Sequence, residues 1–250
     1  IALDGYRFTV VSDLHLHTLT AYHRRILAAV ERTAPDCILI AGDSIDEGTV
    51  YVERLTPFFT ALARIAPVIA CVGNNDCDCL QAIRDVYEEA GVTLLEDETR
   101  TLPARGVPLL ITGLQDPLAY KRGLHRERPV ETPVHMDLRD ALPPRPHADG
   151  DGSRAPSVLL MHQPQLARRY AALCPSLIVA GHAHGGQFRV PGIGGLFSPG
   201  QGFFPRLTSG LYPLGDAKLV VSRGLGNHEI PLRLNNRPHL PVLVLRALED

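Results

Sequence analysis

Gly181-His182-Ala183-His184-Gly185-Gly186 follows directly on the apolar run Leu177-Ile178-Val179-Ala180. Two imidazoles spaced i and i+2 therefore leave a strand-like segment inside a glycine-rich turn, where the backbone can fold tightly enough for both rings to converge on one point. Four more polar clusters end apolar runs: Asp13-Leu14-His15 after Val10-Val11, Gly42-Asp43 after Ile38-Leu39-Ile40-Ala41, Gly73-Asn74-Asn75-Asp76 after Val72, and His162-Gln163-Pro164 after Leu159-Leu160-Met161. Carboxylate, carboxamide and imidazole are the donor types that a pair of hard-to-borderline divalent cations needs. Alone, each cluster has a plain explanation. His162 could be a hydrogen-bonded structural histidine, Gly42-Asp43 a turn, and Asp13 with His15 two polar groups on one face of a solvated strand end. Five such clusters at successive strand ends are not explained that way.

The elements that must position these groups are short. Phe8–Val11, Ile38–Ile40, Val68–Val72, Leu109–Ile111, Val158–Leu160, Leu177–Val179, Lys218–Val221 and Val242–Leu245 read as strands. Residues 20–33 carry a helical stripe of Tyr22, Ile26, Ala29 and Val30. Residues 51–65 carry another of Val52, Leu55, Phe59, Leu62 and Ile65, with Pro57 requiring a late start or a kink. A third helix near 79–90 stops at Gly91. Continuous apolar strands separated by helices predict an α/β chain with helix-covered sheets, and in open α/β sheets the carboxyl ends of strands are where ligands bind.

Two stretches break this rhythm. Residues 117–156, rich in Arg, Pro, His and Gly, read as an excursion, a mobile surface loop with a lid as the alternative, inside a single domain spanning 1–250. Residues 185–216 form a glycine-studded irregular stretch. The chain of 250 residues can bury a substantial core, and its net charge of −2 gives no field favouring nucleic acid. Five cysteines without regular spacing argue against a disulfide framework and fit a reducing compartment. No apolar run is long enough to cross a bilayer, but the chain begins at Ile1, so an upstream signal or anchor could have been removed. A cytoplasmic or membrane-associated location is expected.

The ordered series Asp-x-His (Asp13, His15), Gly-Asp-x-x-Asp (Gly42 to Asp46), Gly-Asn-x-Asp (Gly73 to Asp76), a lone histidine (His162) and Gly-His-x-His (Gly181 to His184) resembles the calcineurin-like metallophosphoesterases. Gly185-Gly186-Gln187, Ser222-Arg223-Gly224-Leu225-Gly226 and Pro231-Leu232-Arg233 look like a bacterial phosphodiesterase-like, often membrane-associated branch, some of whose members act on nucleotide-linked lipid precursors. The resemblance implies two mixed β-sheets sandwiched between helices. It implies one divalent metal held by Asp13, His15, Asp43 and His184 and a second by Asp43, Asn74, His162 and His182, with Asp43 bridging. A bridging hydroxide would attack phosphorus in line. The donor set suits Mn, Fe or Zn and contains no thiolate. Asp46 is expected to support the loop or a ligand's hydrogen bond. A phosphodiester or pyrophosphate-type bond in a phosphorylated small-molecule or lipid-linked substrate is the expected target, with a peripheral membrane contact compatible with it.

One position departs from the family pattern. The family reads Gly-Asn-His-Asp or Gly-Asn-His-Glu, whereas this chain has Gly73-Asn74-Asn75-Asp76. That histidine is taken to stabilise the transition state and protonate the leaving oxygen, with the acidic neighbour, here Asp76, orienting it. Asn75 donates a hydrogen bond but has no acidic proton near neutral pH. Three explanations stay open: an enzyme with another proton donor or a good leaving group, an altered inactive variant, and a metal-binding module without catalysis. His15, His228, His125, His135 and His147 are candidate substitute donors, each with a structural role as the plainer reading. Arg223 is a candidate for gripping substrate phosphate, a structural salt bridge being the alternative. Cys77 and Cys79 read as ordinary thiols, and Phe203, Phe204, Leu211 and Tyr212 as packing beneath their loop rather than as an apolar rim.

Overall fold

The computed structural model describes residues 2–124, 155–173, 175–227 and 232–246. In chain order its regular elements are β1 (Arg7–Val11), α1 (Ala21–Arg32), β2 (Cys37–Ala41), α2 (Thr56–Ile65), β3 (Val68–Cys71), α3 (Leu80–Ala90), β4 (Thr93–Leu94), β5 (Glu98–Ala104), β6 (Val107–Gly113), α4 (Pro117–Lys121), β7 (Ser157–Leu160), α5 (Ala167–Tyr170) and β8 (Leu177–Ala180). Four two-residue strands follow: β9 (Arg189–Val190), β10 (Gly194–Gly195), β11 (Phe197–Ser198) and β12 (Gly202–Phe203). Then come β13 (Gly210–Leu214), β14 (Ala217–Val221) and β15 (Val242–Val244).

These strands form two mixed sheets. The first runs β15-β1-β2-β3-β4, parallel except for β15; the second runs β13-β14-β8-β7-β6-β5, parallel except for β13 and β5 at its two edges. Alternation along each strand divides the burial. Phe8, Val10, Leu39, Ala41, Ile69 and Cys71 of the first sheet pack against Leu109, Ile111, Val158, Leu160 and Val179 of the second. The opposite face of the first sheet (Val11, Ile38, Ile40, Val68 and Ala70) packs on α1, α2 and α3. Each fully buried Leu, Ile, Val or Phe contributes about 1.5–3 kcal/mol, so this shared interior fixes where the strand ends lie.

The helices begin and end where local chemistry directs. Thr20 caps α1, its side chain accepting from Tyr22 N at 3.2 Å. A 3₁₀ turn at Val52–Leu55 precedes α2, and Pro57 sits in the first turn of α2, the late start that the proline requires. Gly91 closes α3 at φ 76°. The outer face of the second sheet is covered by shorter helical segments than the first. Ile178, Ala180, Leu159, Leu219 and Val221 are covered by Ala167, Leu166, Tyr170 and Leu173, which lie on or beside short helical turns. Of the excursion at 117–156, α4 is described; residues 125–154, with His125, His135 and His147, lie outside the described residues, as does His228.

The stretch at 185–216 is less irregular than its glycines suggest. It contains the ribbons β9–β10 and β11–β12 and the edge strand β13. Its aromatics divide. Tyr212 packs under the second sheet, whereas Phe203, Phe204 and Leu211 are 77%, 64% and 62% exposed, which corrects the expectation that all of them pack.

Candidate metal centre

The polar clusters meet because the carboxyl ends of β1, β2, β3, β7 and β8 face one place. The loop after β1 runs beside the loop after β2: Asp13 N donates to Gly42 O at 3.0 Å, His15 N to Asp43 O at 3.1 Å, and Leu16 N to Ser44 O at 3.0 Å. Gly181 N donates to His162 O at 3.1 Å, joining the ends of β7 and β8. Asp13, His15, Asp43, His182 and His184 all have positive φ, between 46° and 65°. Non-glycine residues rarely adopt this region, at a cost of order 1–3 kcal/mol each, and do so where surrounding structure imposes it. Gly73 is required by close approach: a Cβ there would lie 2.2 Å from Asp43 Oδ1 and 2.3 Å from Asp43 N.

Six of the seven expected ligands fall into two groups, Asp13 with His15 and His184, and Asp43 with His162 and His182. In the first, His15 Nε2 lies 3.1 Å from His184 Nε2, and His184 Nε2 lies 3.6 Å from Asp13 Oδ1. In the second, His162 Nε2 lies 3.1 Å from Asp43 Oδ2 and from His182 Nδ1. Asp43 Oδ2 is also 3.8 Å from His15 Nε2, so one carboxylate reaches both groups. Asn74, the seventh, lies beside Asp43 in the wall of one cavity, and its Oδ1 is buried with no hydrogen-bond partner among the described residues.

Supporting hydrogen bonds set which ring nitrogen faces inward. His162 Nδ1 donates to Ala41 O at 2.8 Å, leaving Nε2 toward Asp43. His15 Nδ1 pairs with Asp46 Oδ1 at 3.2 Å, the supporting role expected of Asp46, whose other oxygen lies 2.5 Å from His17 Nε2. His182 N donates to Asp13 Oδ1 at 2.7 Å. Asp76 does not face Asn75: its Oδ1 accepts from Ser44 N and Ile45 N at 2.9 and 3.1 Å, and its Oδ2 from Gly73 N at 2.9 Å. It thereby ties the β2 and β3 loops together. Asn75 N donates to Asp43 Oδ1 at 2.9 Å and Asn75 Nδ2 to Asp43 Oδ2 at 2.8 Å.

Electrostatics follow from burial and crowding. Burial pushes the Asp43 carboxyl up, but His162, His15 and the Asn75 N–H outweigh it and hold the carboxyl well below the usual range. Burial opposes charge on His162, yet Asp43, its hydrogen bond, Asp13 and Asp116 raise it to about 10. Burial brings His182 down to about 3 and His184 down to about 4, so both rings are neutral near pH 7. Burial and the Asp43 charge push Asp76 up to about 7, against its backbone donors. The residues fit divalent cations on a structural criterion as well. Among the described residues Asp13 Oδ2 and Asn74 Oδ1 are buried without partners, each costing about 1–3 kcal/mol, and a cation would satisfy both. Burial pushes the Cys79 thiol up to about 12 and raises Cys77 too, which keeps both protonated, as ordinary thiols.

A cavity of about 300 Å³ opens over Asp43, Asn74, Asn75, His182 and His184, with Glu47, Asp78, Leu118, Arg122 and Pro199 as its outer wall. Arg223 is not among its lining residues; it lies against Gly185 with its Nε buried and without a partner among the described residues, and its carbonyl accepts from Arg233 Nη1 at 2.7 Å. Two residues at the site receive no role there from the sequence, although Arg233 belongs to the Pro231-Leu232-Arg233 match to the family branch. Arg122, ion-paired with Asp78, sits in the Arg-rich excursion. Arg233, 49 positions from His184, brings Nη2 to 3.3 Å from His184 Nδ1. Only a three-dimensional arrangement reveals either contact.

A family model described as calcineurin-like phosphoesterase matches residues 6–186. The chain is 25% identical over 251 residues to the uncharacterized metallophosphoesterase YkuE of Bacillus subtilis (98% of this chain, 80% of that protein). It is 25% identical over 248 residues to the phosphodiesterase YaeI of Escherichia coli (96% and 82%). Among solved structures, TT1561 of Thermus thermophilus superposes with a TM-score of 0.53 at 14% identity, covering 88% of this chain and 89% of that one, a likeness of fold.

Proposed function

This chain belongs to the calcineurin-like phosphoesterase family, hydrolases of phosphoester bonds that use divalent metals, and we propose that it cleaves a phosphodiester or pyrophosphate-type link with two such cations held around Asp43. One observation carries the reading: two buried His/Asp groups share the reach of a single carboxylate, Asp43, beside oxygens on Asp13 and Asn74 that have no partner among the described residues. Asp13, His15, Asp43 and His184 would hold one cation, and Asp43, Asn74, His162 and His182 the other. Mn, Fe or Zn suits this N/O set. Bound cations of this kind supply Lewis acidity, activating water and neutralising charge on the phosphoryl oxygens.

The chain's own residues supply the geometry. Asp46 and Ala41 O hold the rings of His15 and His162 with Nε2 inward. Asp76 locks the loops that carry Asp43 and Asn74, a positioning role. Asn75, in the cavity wall, can donate its amide N–H to a phosphoryl oxygen but cannot protonate a leaving alcohol. Hydrolysis should therefore favour good leaving groups. The name of the relative YaeI supports a diester. Exposed Phe203 and Phe204 flank the ribbon whose Pro199 lines the cavity, which supports a lipid-linked substrate presented at a membrane surface. Among the described residues, no helix is long and apolar enough to cross a membrane.

Asn75 also supports a second reading, a metal-binding module that recognises a phosphorylated ligand without turning it over. The experiment is hydrolysis of bis(4-nitrophenyl) phosphate with added manganese, with elemental analysis of the same protein. Turnover abolished by a chelator favours the hydrolase. Two bound metals without turnover favours the module, and no bound metal defeats both.

A further inference from the structure

A second cavity, of about 440 Å³, shares no lining residue with the first, and His15 is part of its lining. Leu14, Tyr22, Leu225 and Pro238 form its apolar and aromatic wall, with His23 and Asn227 as polar parts of the lining. Arg233 also lines it, and Arg233 Nη2 lies 3.3 Å from His184 Nδ1, so this space touches the Asp13–His15–His184 group directly through His15 and is linked to His184 by Arg233. The two cavities differ in charge. Glu47 and Asp78 stand in the wall of the smaller one, beside Arg122, whereas among the described residues no carboxylate lines the larger one. Its fixed charge is the Arg233 guanidinium.

A phosphodiester carries two alcohol substituents that diverge from a tetrahedral phosphorus. A phosphoryl group held between the Asp43-sharing groups would meet one cavity lined by Asp43, His182 and His184 and another lined by His15. We propose that the larger cavity is a second substrate subsite, which takes one alcohol arm of the diester, an aromatic or apolar group bearing a hydrogen-bond acceptor or negative charge within reach of Arg233. This inference rests on the metal-centre reading given above. It adds that the substrate is bipartite and that one arm is recognised by apolar contact. A site built from Leu14, Tyr22, Leu225 and Pro238 removes apolar surface from water, worth roughly 25 cal/mol per Å² buried, which a methyl ester cannot exploit.

The test uses the whole manganese-loaded protein and does not depend on turnover. Affinities of diphenyl phosphate and dimethyl phosphate are measured by calorimetry on the natural protein, on Pro238→Trp, which narrows the cavity from an exposed position, and on Tyr22→Ala, which removes its aromatic wall. Diphenyl phosphate is expected to bind at least tenfold tighter than dimethyl phosphate, with that ratio falling toward one in both variants. A ratio near one in the natural protein, or an unchanged ratio in two variants that melt normally, overturns the subsite. Absence of binding by both esters together with absence of manganese overturns the metal-centre reading instead.

Discussion

Replacing Asn75 with histidine tests whether the missing acid limits the chemistry. Asn75 makes two bonds to Asp43, a backbone N–H to Oδ1 at 2.9 Å and an amide N–H to Oδ2 at 2.8 Å. Asn75→His keeps the first and removes the second, a bond to a charged group worth about 1.5–3 kcal/mol to the metal-free protein. In return it places an imidazole at the wall of the cavity over Asp43 and His182. A positioned general acid contributes about 10²–10⁴ in rate, or about 3–5 kcal/mol of barrier. That gain applies where the departing oxygen needs a proton. An alkyl ester should thus speed up by about 10²–10⁴, whereas a nitrophenyl ester, whose oxygen leaves as a stable anion, should change by less than about threefold. The assay compares both substrates on manganese-loaded natural and variant proteins of equal metal content. An equal gain on both, or none on the alkyl ester, refutes the argument.

Metal uptake should release protons. His162, raised to about 10, is protonated when metal-free and must deprotonate to ligate, so affinity rises with pH by about one decade per unit up to about pH 10. Calorimetry at pH 8 in buffers of different ionisation enthalpy should give at least one proton released per chain, from His162, with His15, which its neighbouring carboxylates also raise, adding to it; His182 and His184, at about 3 and 4, bring none. Zero release would contradict the assignment of His162. Asp46→Ala, which frees His15 Nδ1, should weaken metal affinity about 10–100-fold by manganese titration while the melting temperature of the metal-free protein changes little. Gly73→Ala forces a Cβ against Asp43 and should cost about 1–3 kcal/mol or more in chemical denaturation, with loss of metal binding. Normal metal content in that variant would show that the loops are not tightly held.

The parts of this structure that were legible in the sequence are those with a local signature. β1, β2, β3, β7, β8 and β14 are apolar runs because parallel strands bury both faces, and every expected ligand sits within five residues of the end of such a run. The strands that escaped notice lie at sheet edges. β5 (Glu98–Ala104) and β13 (Gly210–Leu214) pair on one side, expose much of their surface and contain Pro103 and Pro213, which edge strands tolerate and apolar periodicity does not register. Arg233 and Tyr22 escaped for another reason: their contacts with His184 and Leu225 span 49 and 203 positions and arise from packing alone. Asp76 shows the limit of a motif. Its position was recognisable, but its three backbone donors were not.

The left-handed backbone at Asp13, His15, Asp43, His182 and His184 has a consequence for how the site meets its ions. In domains that fold only around a metal, much of the ion's affinity is consumed in ordering the chain. Here the sheets and the backbone bonds between neighbouring loops hold the ligand-bearing segments through contacts of the protein itself. Order supplied in that way is order that a cation's coordination energy need not supply, and it remains available as affinity.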